Sequence, residues 1–94
     1  MDNLIQKNRE KIKQLARQRG ISNVRLFGSM CRDEATFDSD VDLLVDIDAG
    51  RSGLELGGFL MDVSEMLGRK VDVVTERALH PKLRNKVLSE AVSL

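Results

Sequence analysis

The sequence contains few or none of the residues that mark several common classes of protein. Its 94 residues include no Trp or Tyr, three Phe, one Cys and one Pro, and 15 basic residues balance 15 acidic ones. Binders of single-stranded nucleic acid use aromatic side chains on a basic surface, so direct nucleic-acid binding is disfavoured. The lone Cys31 excludes an internal disulfide. No apolar run approaches the roughly 20 residues that cross a bilayer, and the charged N-terminal pattern is not that of a signal segment, so a cytoplasmic protein is predicted.

The length predicts one small domain, residues 1–94. A chain of this size buries about 60–65% of the surface that it exposes when unfolded, which is enough for one core but not for a separate substrate domain. A first helix is predicted to end at Gly20, and its apolar stripe consists of Leu4, Ile5, Ile12, Leu15 and Ala16. Apolar, β-branched runs predict strands at residues 24–27, ending in Gly28, and at residues 41–47.

The second half of the chain continues the alternation of helices and strands. Ser52 and Glu55 have the spacing of a capping box, and a helical apolar pattern interrupted by two glycines follows up to Gly68. A third strand is predicted at residues 71–74, and Pro81 is predicted to open a final helix. These elements predict the α/β class, with a small mixed β-sheet flanked by helices.

The second predicted strand carries acidic residues on one side only. Side chains alternate along a strand, so Asp40, Asp42 and Asp46 point to one face, while the other face is apolar and consists of Val41, Leu43, Val45 and Ile47. Asp is depleted in strands, and two like charges about 7 Å apart gain nothing unless a cation lies between them. Magnesium binds one or two carboxylates together with substrate phosphates, so half of a metal site is predicted here. Without metal, repulsion should raise the pKa of at least one of these carboxyls.

Two further segments complete the predicted site. Asp72 lies within the third strand and shares a sheet face with Asp40 and Asp42 if the strands are neighbours, in which case three carboxylates would hold two metal ions. Gly28 and Ser29 follow the first strand at the start of a predicted helical turn. Glycine lets a phosphate approach the backbone, free N–H groups there attract anions, and Ser29 adds a hydroxyl. Each feature alone is common in ordinary turns and strands, whereas the combination is specific.

The combination resembles the MNT-type minimal nucleotidyltransferases, within the DNA polymerase β-like nucleotidyltransferase superfamily. The signature of that family is Gly-Ser, ten residues and Asp-x-Asp, and it is matched by Gly28, Ser29, Asp40 and Asp42. Residues 24–27, 38–45 and 68–75 are similar to the family as well, so the resemblance spans nearly the whole chain. It implies the nucleotidyltransferase fold and an enzyme that uses ATP and two Mg²⁺ ions.

The resemblance also implies roles for the three acids. Asp40 and Asp42 would bind both metal ions. Asp72 would bind one of them and help to activate the attacking hydroxyl. All three are therefore candidate catalytic and metal-binding residues.

The nucleotide contacts follow from the same resemblance. Gly28 and Ser29 would contact the outer phosphates of ATP, with Arg32 as a further candidate for phosphate contact. One position departs from the family: members often have Gly where this chain has Asp33, which adds a negative charge near the expected triphosphate.

The resemblance finally implies a partner. Family members of this size in bacteria resemble antitoxins that transfer AMP to a tyrosine of a HEPN-domain ribonuclease toxin. This chain has no Tyr, so such an acceptor would lie on another protein, and a hetero-oligomer with a HEPN toxin is expected. Two alternatives stay open: an antitoxin that neutralises its toxin by binding alone, and nucleotidyl transfer to a small molecule. Relatives that act on small molecules generally carry a substrate domain that this chain lacks.

Overall fold

The fold is described from a computed structural model of the chain, for residues 2–32, 34, 36 and 39–94. The helices are α1 (Asn3–Gln18), α2 (Leu54–Leu67) and α3 (Pro81–Glu90); the strands are β1 (Ile21–Phe27), β2 (Val41–Ile47), β3 (Val71–Val74) and β4 (Val92–Ser93), and a 3₁₀ turn spans Glu76–Ala78. The sheet has the order β3-β2-β1-β4, in which β2 and β3 are parallel and the other pairs are antiparallel. The prediction of an α/β fold with a small mixed sheet and flanking helices is confirmed.

Helix α1 ends before Gly20 as predicted, and an aspartate caps its start. The side chain of Asp2 accepts a hydrogen bond from the Leu4 N–H at 2.8 Å, which satisfies one free donor of the first turn. Gly20 lies just beyond the helix with φ +69°, a conformation that side chains disfavour. The predicted stripe faces inward, since Ile5, Ile12 and Ala16 are buried.

The start of α2 differs from the prediction. A capping box requires the Ser52 side chain to accept from the Glu55 N–H, but that N–H donates to the Ser52 carbonyl at 3.1 Å. The Ser52 hydroxyl accepts from the Leu54 N–H instead, at 3.2 Å, and Gly53 is the N-cap. The other end is as predicted, because α2 stops at Gly68 with φ +64°.

The core lies between one face of the sheet and the helices α1 and α2. The predicted apolar face of β2 provides its centre: Val41, Leu43 and Val45 are fully buried, and Phe59 and Val63 of α2 belong to the same cluster. Within the described residues, no helix is long and apolar enough to cross a bilayer.

Two features of the sheet were not predicted. Strand β1 begins at Ile21 rather than at residue 24, because Asn23 adopts φ +49° and the register with β2 shifts between Ser22 and Arg25. Such a bulge interrupts the alternation on which strand prediction depends. Strand β4 is only two residues long, too short for any pattern to reveal.

Candidate active site

Asp42 and Asp72 are neighbours on adjacent strands. Strands β2 and β3 run parallel, and their register pairs Asp42 with Asp72. Residues paired in register point to the same face of a sheet, and the alternation along β2 puts that face opposite Val41 and Leu43. The structure therefore brings Asp72 beside Asp42, on the side of the sheet away from the main core.

Gly28 lies against the same carboxylate. The last residue of β1, Phe27, is paired with Asp42, and Gly28 follows with φ +77°. A Cβ atom added to Gly28 would overlap Oδ2 of Asp42. Glycine is thus required here both for the backbone conformation and for the close approach of the turn to the acid.

The segment after Gly28 forms the predicted helical turn. The Gly28 carbonyl accepts from the N–H groups of Cys31 at 3.1 Å and Arg32 at 3.2 Å. The hydrogen bonds of the turn therefore do not use the N–H groups of Ser29 and Met30. Free N–H groups at the start of a helical turn are suited to an anion such as a phosphate.

The turn is anchored to the rest of the fold on two sides. The Met30 side chain is fully buried, and its carbonyl accepts from the Asp2 N–H at 3.1 Å. On the other side, the Cys31 thiol lies 3.4 Å from the carbonyl of Glu90 at the end of α3. A turn held by both the core and α3 keeps Gly28 and Ser29 in a defined position beside Asp42.

Arg32 lies at the edge of this cluster but is already engaged in ion pairs. Its guanidinium donates to Glu34 at 3.1 Å and to Glu90 at 3.1 Å. The hydrogen bond to Glu34 raises the pKa of Arg32 above its ordinary value, so the side chain stays cationic. The neighbouring Asp33 lies outside the described residues.

Asp40 precedes β2 and points to the same face as Asp42 by strand alternation. Its carboxylate is half-exposed and lies 3.9 Å from Nζ of Lys70, which is itself largely exposed. An exposed pair of this kind contributes little to stability, about 0–1 kcal/mol. Asp40 is therefore held only weakly in its present orientation.

Arg69 positions the approach to Asp40, a role that sequence analysis missed. Its guanidinium donates to the carbonyls of Ser39 at 2.7 Å and Thr36 at 3.2 Å. Its own carbonyl accepts from the Ser64 hydroxyl at 2.9 Å. The only signal in the sequence is a basic residue between the helix-ending Gly68 and the third strand, a pattern that does not distinguish a bound arginine from a solvated one.

The electrostatics of the site centre on Asp42. Partial burial raises the pKa of Asp42 above its ordinary value, and the charges of Asp72 and Asp40 raise it further, whereas Arg32 lowers it. The predicted repulsion among the carboxylates is confirmed for Asp42. The fold brings negative charges together at a cost in free energy, as sites built for a cation do.

The donor set suits a hard divalent cation. Carboxylate oxygens are the ligands that magnesium prefers, and the missing side chain at Gly28 lets the turn lie directly against Oδ2 of Asp42. Among the described residues, no three acidic, His or Cys side chains are already arranged to hold a metal ion. The carboxylate of Asp40 lies toward Lys70, 3.9 Å from its Nζ.

Two cavities of the structure lie elsewhere. One of about 330 Å³ lies between α1 and the start of β1, and the other, of about 350 Å³, lies at the far end of β2. Neither is lined by any of the predicted site residues. The acids are reachable from solvent, since Asp72 is exposed and Asp40 is half-exposed, so a large acceptor can approach them.

Comparisons with known proteins identify the family of the chain. A family model described as a nucleotidyltransferase domain matches residues 5–94. A Methanocaldococcus jannaschii protein, provisionally named a protein adenylyltransferase, is 36% identical over 86 residues, which are 92% of each chain. The protein adenylyltransferase MntA of Thermococcus cleftensis is 36% identical over 80 residues, which are 85% of this chain and 81% of its own.

Solved structures share the fold. One that carries the provisional name minimal nucleotidyltransferase has a TM-score of 0.87 and 42% identity, covering 100% of this chain and 97% of its own. A second solved structure is the complex of a tri-AMPylated Shewanella oneidensis HEPN toxin with an MNT antitoxin. One of its chains has a TM-score of 0.69 and 22% identity, and the match covers 94% of this chain and 69% of its own. The predicted fold, family resemblance and enzyme class are confirmed. The chain belongs to the nucleotidyltransferase domain family.

Proposed function

We propose that this protein transfers AMP from ATP to a tyrosine hydroxyl of a partner HEPN-domain ribonuclease toxin and acts as the antitoxin of that toxin in the cytoplasm. The observation that carries the proposal is the placement of Asp42 beside Asp72 and against the Gly28 turn. Two similar proteins support the choice of acceptor: one relative is a protein adenylyltransferase, and a protein of the same fold forms a complex with a tri-AMPylated HEPN toxin. The acceptor lies on another chain because this one has no Tyr.

Each residue of the cluster has a role in this reaction. Asp40, Asp42 and Asp72 would hold two Mg²⁺ ions. When bound, these ions neutralise phosphate charge and lower the pKa of the acceptor hydroxyl. Asp72 is exposed, so it meets the incoming hydroxyl and accepts its proton as the oxygen bonds to the α-phosphorus and pyrophosphate leaves.

The Gly28 turn holds the other end of the nucleotide. The N–H groups of Ser29 and Met30, which the turn itself does not use, donate to the outer phosphates together with the Ser29 hydroxyl. Arg32 adds a positive charge at the edge, in exchange for part of its pairing with Glu34 and Glu90. Pyrophosphate is thereby bound on the side away from the acceptor.

The reaction is tested by incubating the protein with ATP, Mg²⁺ and its co-purified partner, followed by intact-protein mass measurement. A gain of whole AMP units on the partner, located to a tyrosine by fragmentation, is the expected result. An unmodified partner after complete incubation contradicts the proposal.

The binding-only alternative is separated by the pair of substitutions Asp40→Ala and Asp42→Ala. If catalysis neutralises the toxin, the double variant binds the partner normally but no longer protects cells from it. If the variant still protects, the protein neutralises by contact alone. Asp48→Asn, an exposed acid outside the cluster, is the matched control and leaves protection unchanged.

A further inference from the structure

The outer face of α2 carries two exposed apolar side chains that the described part of the chain leaves uncovered. Leu54 is 85% exposed and Met61 is 57% exposed. The two residues are seven positions apart, or two helical turns, so they lie on one line along the helix. Single exposed apolar residues are ordinary, but two aligned on one helix face form a surface that a partner would cover.

Gly57, within the same exposed face, has no packing role in the fold of its own chain. A Cβ atom at this position would meet nothing within 4 Å, yet glycine inside a helix costs about 1 kcal/mol relative to alanine. Gly58 differs, because the guanidinium of Arg19 lies over it and pairs with Asp62 at 3.0 Å. A glycine that the monomer does not need, on an exposed apolar face, is suited to the close approach of a second helix.

We propose that the outer face of α2 is a homodimer interface, in which α2 packs antiparallel against the α2 of a second copy. A two-fold axis between Gly57 and Gly58 maps residue 54 onto residue 61. Leu54 of each copy then contacts Met61 of the other, and Gly57, where an added Cβ would meet nothing within 4 Å, lets the two helices approach closely. This self-complementary pattern is what a two-fold interface requires.

The charges at the two ends of α2 match the same arrangement. Arg51 lies just before the helix, 3.4 Å from Glu55. Glu65 lies in the last turn and is exposed, where the helix dipole disfavours an acid. In the antiparallel pair, Glu65 of each copy lies near Arg51 and the N-terminal end of α2 in the other, where the dipole favours an acid.

A second copy fits this face better than the acceptor does. Helix α2 packs through Val63 on the sheet face that carries Leu43, whereas Asp42 and Asp72 project from the opposite face, where the acceptor hydroxyl has to arrive. The dimer leaves both sets of acids open. A single pair of helices about 21 Å long buries less than the roughly 1,600 Å² of a standard interface, so the dimer is weak.

Sedimentation equilibrium of the full chain from about 5 to 500 μM tests the interface. The wild type is expected to pass from monomer to dimer over this range, and Met61→Glu to stay monomeric. Leu83→Glu is the matched control, since Leu83 on α3 is 54% exposed but outside the face, and it dimerises as the wild type does. A monomeric wild type, or equal dimerisation of Met61→Glu, overturns the proposal.

Exchanging the charges at Arg51 and Glu65 tests whether the two α2 helices pair antiparallel. Arg51→Glu and Glu65→Arg each place like charges at both ends of the interface, so each variant alone dimerises more weakly than the wild type. Mixed in equal amounts, the two variants form a heterodimer in which both contacts are attractive. No recovery on mixing contradicts the antiparallel pairing. If Met61→Glu instead weakens binding to the HEPN acceptor while the wild type stays monomeric, the face belongs to the acceptor and the homodimer is wrong.

Discussion

The two faces of β2 affect the stability of the fold in opposite directions. On one face, Val41, Leu43 and Val45 are fully buried against the helices. On the other, Asp42 is only half-buried and its charge is opposed by two neighbouring acids. One strand therefore contributes both to the core that holds the fold together and to a cluster that the fold would be more stable without.

This difference shows how a chain of 94 residues accommodates a charged site. Side-chain alternation lets the rigid, buried side of the strand fix the positions of the acids on the other side. The register with β3 and the turn at Gly28 then bring the remaining groups to the same place. Substitutions on the two faces are accordingly expected to have different consequences.

The largest expected effect is on activity. Asp42→Asn keeps the shape of the side chain but removes its charge, so AMP transfer should fall by about 10³-fold or more, equivalent to about 4 kcal/mol in the transition state. The rate is measured by mass spectrometry of the partner, and circular dichroism checks that the fold is kept. Asp48→Asn should react at the rate of the wild type. Transfer by Asp42→Asn at more than a tenth of that rate would remove Asp42 from the site.

The next largest effect is on stability, from the other face. Leu43→Ala opens a cavity in the core and should lower the free energy of unfolding by about 2–5 kcal/mol. Urea denaturation measures this loss, and Asp42→Asn, one residue away on the opposite face, should show none. If the two substitutions destabilise equally, the contrast between the faces is wrong.

A smaller effect, on both AMP transfer and stability, is expected from substitution of Gly28. Gly28→Ala should cost about 1–2 kcal/mol of stability through its φ of +77°, and its methyl group should displace the Asp42 carboxylate and reduce transfer. Gly50 is a matched control, with φ +84° and no atom within 4 Å of an added Cβ. Gly50→Ala should lose similar stability and keep full activity. Equal activity of both variants would mean that the contact between Gly28 and Asp42 is unimportant.

The smallest effect is the pH dependence of stability. Burial and the neighbouring acids raise the pKa of Asp42 above its usual 3.8, so the folded state holds this proton more tightly than the unfolded state. The resulting stabilisation is complete below the usual pKa and is lost as the pH rises through the raised one. In the presence of a chelator, Asp42→Asn should melt roughly 1–4 °C above the wild type at neutral pH, and this difference should disappear at low pH. A lower melting temperature of the variant at neutral pH would contradict the repulsion.

Much of the fold could be predicted because its patterns are local. Strands β2 and β3 have the predicted bounds, since their β-branched runs are short and uninterrupted, and Gly68 ends α2 as expected. The start of β1 depends on a bulge at Asn23, and β4 depends on pairing with β1. Both features come from tertiary contacts, which a single local pattern does not contain.

In the candidate site too, local features could be predicted from the sequence and long-range contacts could not. Spacing alone brought Gly28, Asp42 and Asp72 to attention, because strand alternation and a glycine turn are local features. The bonds of Arg69 to the carbonyls of Ser39 and Thr36 were not predictable, since they join segments about 30 residues apart. The pairing of Arg32 with Glu90 spans 58 residues and was missed for the same reason.

The most direct test of the central claim compares the melting of the wild type and of Asp42→Asn, with and without Mg²⁺ and a non-hydrolysable ATP analogue. If the clustered carboxylates bind cations beside the nucleotide, the wild type gains about 2.7 kcal/mol at a hundredfold excess over Kd. Asp42→Asn should be the more stable of the two without ligand and gain almost nothing with it. An equal gain in both proteins would show that the acids do not form the site.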